Sequence, residues 1–289
     1  MNNLVKNVML LPFNLLYKVS PEADLKVLFL LKQHYALDLK NPKTYNEKLQ
    51  WIKLYDKNQL MPKCCDKYTV REYVKQQGCE EILNYLIWQG FDPEKIPFSK
   101  LPKKYVVKVT HGSTFNIIQN GKNQITQKEI INKCRKWLKA KFLPCYGEWF
   151  YGIERQRVIV ENFIESADDI QLRDYKVYCF NGEPKIIRVD TDRFTKHRTD
   201  IFDCNWKHIP NEGLGFPTSG REIEKPGCLH ELLEYARKLS NPFIHARVDF
   251  YIVRDKIYFG EITFTSGAGF DRFSSYDFDL MLGNYLKLQ

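Results

Sequence analysis

The chain has 289 residues, 44% of them hydrophobic and 14% aromatic, and carries a formal net charge of +9. That length and apolar content suit one elaborated domain or two lobes and exclude a disordered chain. The charge calls for an anionic partner such as a nucleotide, an acidic sugar or a membrane surface. With no Lys/Arg block, zinc-finger spacing or RNA-binding signature, nucleic acid is not expected.

The N-terminal stretch Met1 to Val19 is apolar but is interrupted by Lys6, Pro12, Asn14 and Lys18. It is too broken to span a membrane and has no clear cleavage site. Leu4, Val8, Leu11, Leu15 and Val19 fall near one helical face. Their expected role is packing onto the body, with a membrane-surface contact as the alternative. The eight cysteines show no CxxC and no regular framework. Cys134 and Cys179, inside apolar runs, read as buried thiols, and the whole usage fits a reducing cytoplasm or its membrane face. Zinc is not expected, since the six histidines have neither HExxH nor CxxC partners.

Residues 1–100 read as mainly helical. Thr44 and Glu47 form a capping box opening a helix through Leu49, Trp51, Ile52 and Tyr55. Asp66 caps a second helix with Val70, Tyr73 and Val74 as its apolar stripe and Gly78 as its stop, and Lys67 and Arg71 share one of its faces. From Pro102 the pattern changes. Tyr105–Thr110 is a strand, His111 to Asn116 a loop, and Ile117-Ile118 the start of a return strand. A second capping box, Thr126 to Glu129, opens a helix through Trp137 and Leu138. Val158–Ile164 is a strand. Asp174–Phe180 and Pro184–Asp190 form a hairpin on Asn181-Gly182. A helix at about 229–240, with Leu232, Leu233, Ala236 and Leu239 inward, ends at Asn241-Pro242. Hairpins and helices alternate without a βαβ rhythm, so the fold class is α+β.

The closing hairpin, 246–253 and 257–264, holds the most informative pair, Asp249 and Glu261. With a three-residue loop Arg254-Asp255-Lys256, Val253 pairs with Ile257, which sets Asp249 opposite Glu261 and Arg247 opposite Thr263. A two-residue turn would instead put the two carboxylates on opposite faces. Opposed like charges roughly 4.5–5.5 Å apart are destabilising, so a cation belongs between them. Mg²⁺ is the natural one; a solvated hairpin balanced by Arg247 and Lys256 is the competing reading.

Other groups suit a phosphate-handling cleft. Lys108 lies on a strand below Gly112-Ser113, a workable clamp although no Walker or dinucleotide glycine motif exists; an edge-strand lysine is the plain alternative. Lys176 places a second lysine on a hairpin strand. In ideal register Lys176 pairs with Ile187 and faces away from Arg188, so a bulge is needed if both are to reach one cleft. The segment from Arg188 through Asp190, Asp192 and Arg193 reads as a charged loop able to hold an anionic acceptor. His111 suits proton transfer or simple positioning. No GxSxG elbow exists, and no cysteine has a signalled histidine partner.

In order, Asn41-Pro-Lys-Thr-Tyr-Asn-Glu, Asp66-Lys67, Lys108-Val-Thr-His-Gly-Ser, Val160-Glu-Asn-Phe-Ile, Asp174-Tyr-Lys, Val189-Asp-Thr-Asp-Arg-Phe, Arg247-Val-Asp and Gly260-Glu-Ile-Thr-Phe-Thr resemble the TupA-like ATP-grasp family of capsule and surface-polysaccharide gene clusters. The resemblance implies two α+β lobes with antiparallel sheets clasping ATP. Residues 1–100 would form the helical N-terminal region, 101–164 the small lobe, and 165–289 the large lobe. It assigns Lys108, Lys176 and, more weakly, Lys67 to the nucleotide phosphates, and Gly112 and Ser113 to the loop over them. Glu161 and the peptides of Asn162, Phe163 and Ile164 would form the adenine hinge, with Glu165 at the ribose. Asp249, Glu261 and Thr263 would hold Mg²⁺, and Arg247 would support catalysis alongside Lys176. Arg188, Asp190, Asp192, Arg193, Gly267 and Gly269 would contact the acceptor.

The implied reaction joins a carboxylate to an amine through an acyl phosphate. A uronic-acid carboxylate of a surface polysaccharide or its precursor, and an amino acid or small amine, are the implied substrates. A sugar kinase keeps the same site with another acceptor. A glycosyltransferase would use Asp190-Thr-Asp192 as a metal motif.

Overall fold

The computed structural model describes residues 9–121, 125–166, 172–193, 195–210, 212 and 214–288. Two antiparallel sheets organise it. The smaller contains β1 (Leu86–Gly90), β2 (Tyr105–Val109), β3 (Asn116–Gln119) and β4 (Val158–Asn162), in the order β1-β4-β2-β3. Strand alternation sends Val107, Val109, Val158 and Val160 to one face, where they pack on Ile130 and Cys134 of α6 (Gln127–Leu138). Lys108 and Glu161, one step out of phase, are left on the other face. That α6 opens on the Thr126–Glu129 capping box, as its sequence requires. β1 is not anticipated by the sequence, because its apolar run is too short and unalternating to register; pairing with β4 makes it a strand.

The larger sheet contains β5 (Asp174–Phe180), β6 (Glu183–Thr191), β7 (Arg198–Asp203), β8 (His208–Ile209), β9 (His245–Val253) and β10 (Lys256–Thr263), in the order β10-β9-β5-β6-β7-β8. Its inner face buries Val177, Cys179, Ile187, Val189, Val248 and Phe250 with Leu232, Ala236 and Leu239 of α7 (Leu229–Ser240). β7 and β8 were not anticipated either, and β6 runs on to Thr191. The segment from Arg188 to Thr191 is therefore buried strand and not solvated loop, because β7 pairs with it along its whole outer edge.

Two bulges set the registers that matter. The Asn181-Gly182 turn has positive φ at both residues, 49° and 81°, as a tight hairpin with right-handed twist needs. An extra residue between Pro184 and Ile186 then brings Lys176 opposite Arg188 and not Ile187. In the closing hairpin the turn is Arg254-Asp255, both with positive φ, so Val253 pairs with Lys256 and the three-residue loop is corrected to two. That alone would split the carboxylates between faces. An extra residue at Gly260 cancels the slip and restores Asp249 opposite Glu261 and Arg247 opposite Thr263. A β-carbon on Gly260 would stand 2.9 Å from the Asp249 carbonyl, which is why the bulge residue is glycine.

Before the sheets lie α1 (Leu11–Val19), α2 (Pro21–Gln33), α3 (Tyr45–Tyr55), α4 (Leu60–Cys65) and α5 (Val70–Gln76); α8 (Tyr276–Tyr285) closes the chain against α3. The Thr44–Glu47 capping box opens α3. Asp66 caps the turn ahead of α5, accepting from the N–H groups of Tyr68 and Thr69. The expected inward stripe of the N-terminal helix is reversed: Leu11, Leu15 and Val19 are exposed, while Leu10, Phe13 and Tyr17 pack onto the body. The inward face was mis-phased because nearly every α1 position is apolar, so periodicity is weak. Leu4 and Val8 lie outside the described residues. Among the described residues no helix is long and apolar enough to cross a membrane. All eight cysteines are free thiols, six of them buried.

One buried histidine gives the fold a measurable pH response. His245 Nδ1 donates to the Cys179 carbonyl at 2.8 Å, which leaves Nε2 to accept from the Tyr45 hydroxyl at 2.9 Å. Burial lowers its pKa from the usual value to about 3. Its stabilisation is therefore full above the unfolded histidine pKa and lost as pH falls toward 3, at about 1.4 kcal/mol per pH unit. Asp24 and Asp279, pushed up to about 6 by burial, act with opposite sign. Chemical denaturation of wild type and His245→Gln between pH 7 and pH 4 isolates the term: the stability gap between them should narrow as pH falls.

Candidate active site

The outer face of the larger sheet is a ladder of charge. Because Lys176 pairs with both Arg188 and Asp249, and Asp249 with Glu261, one row crosses four strands as Arg188, Lys176, Asp249, Glu261. A neighbouring row carries Asp190, Asp174 and Tyr251, and the row on the other side Tyr178, Arg247 and Thr263. Period-two alternation puts all of them on the face turned away from α7.

Lys176 sits at the centre, with its Nζ 3.2 Å from Asp190, 3.4 Å from Asp249 and 3.5 Å from Asp174. Burial works against its charge, but Asp249 and Asp174 outweigh it and raise its pKa. Arg247 grips Asp249 with both arms, Nε and Nη2 each at 2.7 Å from a separate oxygen. The same guanidinium lies 3.1 Å from Thr263 Oγ1 and 3.5 Å from Glu261. Burial alone would push the Asp249 carboxyl up; Arg247 and then Lys176 hold it below the usual carboxylate range. Asp190 is held low likewise, against burial, by Lys176 and Arg188, whose Nε donates to it at 2.6 Å. Asp249 and Asp190 are thus held as carboxylates by the cations packed against them.

The smaller sheet and α5 supply the opposing wall. Lys108 Nζ donates to Glu161 at 2.6 Å, and Arg71 donates to the other Glu161 oxygen at 3.0 Å. Lys67 reaches across, donating to the Gly112 carbonyl at 2.8 Å and standing 3.9 Å from Glu261. It is the side chain that joins the loop to the carboxylate ladder. Gly112 has φ 77°, and a β-carbon there would meet the Phe115 ring at 2.9 Å, so the sharp loop requires glycine. Ser113 stands exposed at the tip. His111 is buried, its Nε2 paired with the Ala140 carbonyl and its ring edge-on to Phe115 and Phe142. Burial lowers its pKa, and this is a positioning arrangement more than a proton-transfer one.

Several assignments change. Glu161 faces Lys108 and Arg71 along the sheet, so its side chain steadies a lysine and is not free for a base edge. The Asn162 N–H donates to the Tyr85 carbonyl, and its own carbonyl accepts from Asn84. Asn84 and Tyr85, just ahead of β1, take up those groups, which leaves the Phe163 and Ile164 peptides as hinge candidates. Glu165 is exposed and paired with Lys104 at 2.8 Å. Asp190 and Asp192 do not converge, since Asp190 joins Lys176 and Arg188 whereas Asp192 bonds Arg221 at 3.1 Å. A two-aspartate metal motif is thereby excluded. Arg193 is bound to Asp174. Gly267 is exposed, but Gly269 is buried with its carbonyl on Gln50, where a β-carbon would stand 2.4 Å from that amide. Gly269 thus anchors its loop to α3 and does not face an acceptor. The sequence reading missed Asp174, Arg71 and Ser266; two-residue spacing from Lys176 was the available signal for Asp174, and Ser266, 3.3 Å from Arg247, had none.

A hard divalent cation fits Asp249 and Glu261. They are ladder partners, both carboxylates lie within reach of one guanidinium, and the Thr263 hydroxyl stands beside them. Two carboxylates with an adjacent hydroxyl is the oxygen set Mg²⁺ takes when phosphates complete its shell. Among the described residues no cluster of three or more His, Cys, Asp or Glu could hold a metal ion.

The Lys108 contact is testable through binding. Glu161→Gln removes the charge that orients Lys108 and should weaken ATP binding about tenfold, the weight of one charge-assisted hydrogen bond. Calorimetric titration reads it directly, and an unchanged affinity removes Glu161 from the site.

The chain is similar to the D-alanine–D-alanine ligase from Bacillus anthracis, at 18% identity and TM-score 0.43, covering 70% of this chain and 57% of that one. It is similar also to the D-alanine–D-alanine ligase from Helicobacter pylori, at 14% identity and TM-score 0.43, over 86% of this chain and 70% of that one. The N5-carboxyaminoimidazole synthetase from Staphylococcus aureus complexed with ADP matches at 14% identity and TM-score 0.43, over 76% of this chain and 52% of that one. The chain thus spans little more than half the length of two of these proteins. No curated protein matches it. A family model described as TupA-like ATPgrasp matches residues 47–287, taking in both sheets and every charged group of the ladder. By that match the chain belongs to the TupA-like ATPgrasp family and has the ATP-grasp fold.

Proposed function

We propose that the protein is an ATP- and Mg²⁺-dependent carboxylate–amine ligase. The observation that carries this is the row Arg188–Lys176–Asp249–Glu261, with Lys67 3.9 Å from Glu261. A carboxylate oxygen attacks the γ-phosphorus and the bond to ADP breaks, giving an acyl phosphate. An amine nitrogen then attacks the acyl carbon, loses its proton, and phosphate leaves. Mg²⁺ held by Asp249 and Glu261 would neutralise phosphate charge. The chain's part is binding and orientation: Lys108 and Lys67 for phosphate, with Arg247 and Lys176 fixing Asp249 and offering positive charge to developing anions.

The acceptor reading is a uronic-acid carboxylate of a surface polysaccharide or its precursor, joined to an amino acid or small amine. Arg188, 5.2 Å from the Phe216 ring, and His197, tilted against that ring with centroids 4.2 Å apart, support it: a cation beside an aromatic face suits an acidic sugar. An ADP-release screen over uronic acids and amines, with mass spectrometry of the products, tests the proposal. An amide with one ADP and one phosphate released is expected. A phosphorylated sugar formed without any amine would make the protein a kinase, and stabilisation by a sugar nucleotide but not by Mg-ATP would make it a glycosyltransferase.

A further inference from the structure

The ligase site leaves the α1–α2 pair unused, yet the segment from Met9 to Leu31 carries half of the exposed large hydrophobic side chains among the described residues. Of the eight exposed large non-aromatic hydrophobic side chains among the described residues, seven lie between Met9 and Leu31. Isolated exposed leucines are ordinary, but a concentration of this kind marks a contact surface. On α1 the outward residues are Leu11, Leu15 and Val19, the last 85% exposed; on α2 they are Val27, Leu30 and Leu31, the last 58% exposed. Spacings of four, and of three and four, place each set on one helical face. The opposite faces, with Phe13 and Tyr17 on α1 and Leu25 and Phe29 on α2, enter a single hydrophobic cluster. Both helices bury their inner sides in that one cluster and pack against each other.

The charge on this pair decides what covers it. Lys18 and Lys26 are exposed on the same two helices, Lys26 bonded to Glu22 at 2.6 Å, and the whole chain carries +9. Glu22 offsets Lys26, so the surplus among the exposed charges of the two helices is the single positive charge of Lys18. An anionic lipid surface would take the apolar side chains into its acyl boundary and the lysines at its headgroups. We propose that the outer face of α1 and α2 is a docking surface for an anionic bilayer, holding the protein in the interface plane. No described helix is long enough to cross, so the contact is peripheral.

Co-sedimentation of the full chain with vesicles tests this, using phosphatidylcholine containing phosphatidylglycerol against phosphatidylcholine alone. Wild type should pellet with the anionic vesicles and stay largely soluble with the neutral ones. Leu15→Glu/Leu30→Glu should lower the partition at least about tenfold. Both positions are solvent-exposed, so the circular dichroism melt should match wild type. Lys18→Gln, which touches no apolar contact, should lower the partition about fivefold. The proposal is overturned if wild type ignores both vesicle types or pellets equally with both. It is overturned too if ultracentrifugation shows a dimer that Leu15→Glu/Leu30→Glu separates, since the face would then join two copies.

Discussion

Asp249→Asn should abolish ATP-dependent turnover and also destabilise the protein, whereas Glu261→Gln should abolish turnover alone. Both variants remove a carboxylate from the cation pair, and the expected loss in ADP release is on the order of 10³-fold for each. Their stability costs differ because their surroundings differ. Asp249 is 5% exposed and holds both arms of Arg247 as well as facing Lys176. Removing its charge leaves a guanidinium buried without its main partner, at a cost of about 3–5 kcal/mol. The Glu261 side chain is 40% exposed and meets Lys67 only at 3.9 Å and Arg247 at 3.5 Å, so solvent screens the loss. Thermal melts beside ADP-release assays separate the two outcomes. Retained turnover in either variant would remove the carboxylate pair from the mechanism.

Lys176→Met should fail in both respects, with a pH signature that identifies the cause. Three buried carboxylates face this one ammonium. Methionine preserves the volume but leaves Asp174, Asp190 and Asp249 to Arg193, Arg188 and Arg247, and the three acids repel one another. A loss of about 3–5 kcal/mol near neutral pH is expected. In wild type Asp249 and Asp190 are held below the usual range, so their stabilisation is present above the unfolded aspartate pKa and lost as pH falls through the folded one. Without Lys176 those folded pKa values rise, so the variant loses less on acidification. Denaturation midpoints should therefore converge between about pH 5 and pH 2, the range in which wild type loses this stabilisation. A constant gap would mean that packing, not charge, makes Lys176 important. Turnover should fall by about 10²-fold or more, since Lys176 both orients Asp249 and offers charge to phosphate.

Much of the site was legible because strand alternation is local. Lys108 between valines, Asp249 two residues after Arg247, and Glu161 at the end of Val158-Ile-Val could each be placed on a face from the sequence alone. Capping boxes at Thr44 and Thr126 started their helices at the expected residues for the same reason, since the cap and its partner lie three positions apart. What failed was longer in range. β1 became a strand only by pairing with β4, some seventy positions away, and Asn84 and Tyr85 just ahead of it take the Asn162 peptide groups from the hinge. The strand expected to end at Asp190 runs on to Thr191, and pairing with β7 buries its charged end.

The amino-acid order by itself determined which residue types would meet: two late carboxylates, an arginine two residues before the first, and lysines on two other strands. It determined the family as well, through motifs in a fixed succession. Only the tertiary structure decided that these groups share one face. A hairpin's register depends on how many residues the turn and its bulges consume, and the extra residues at Lys185 and Gly260 are chosen by packing across neighbouring strands, not by local propensity.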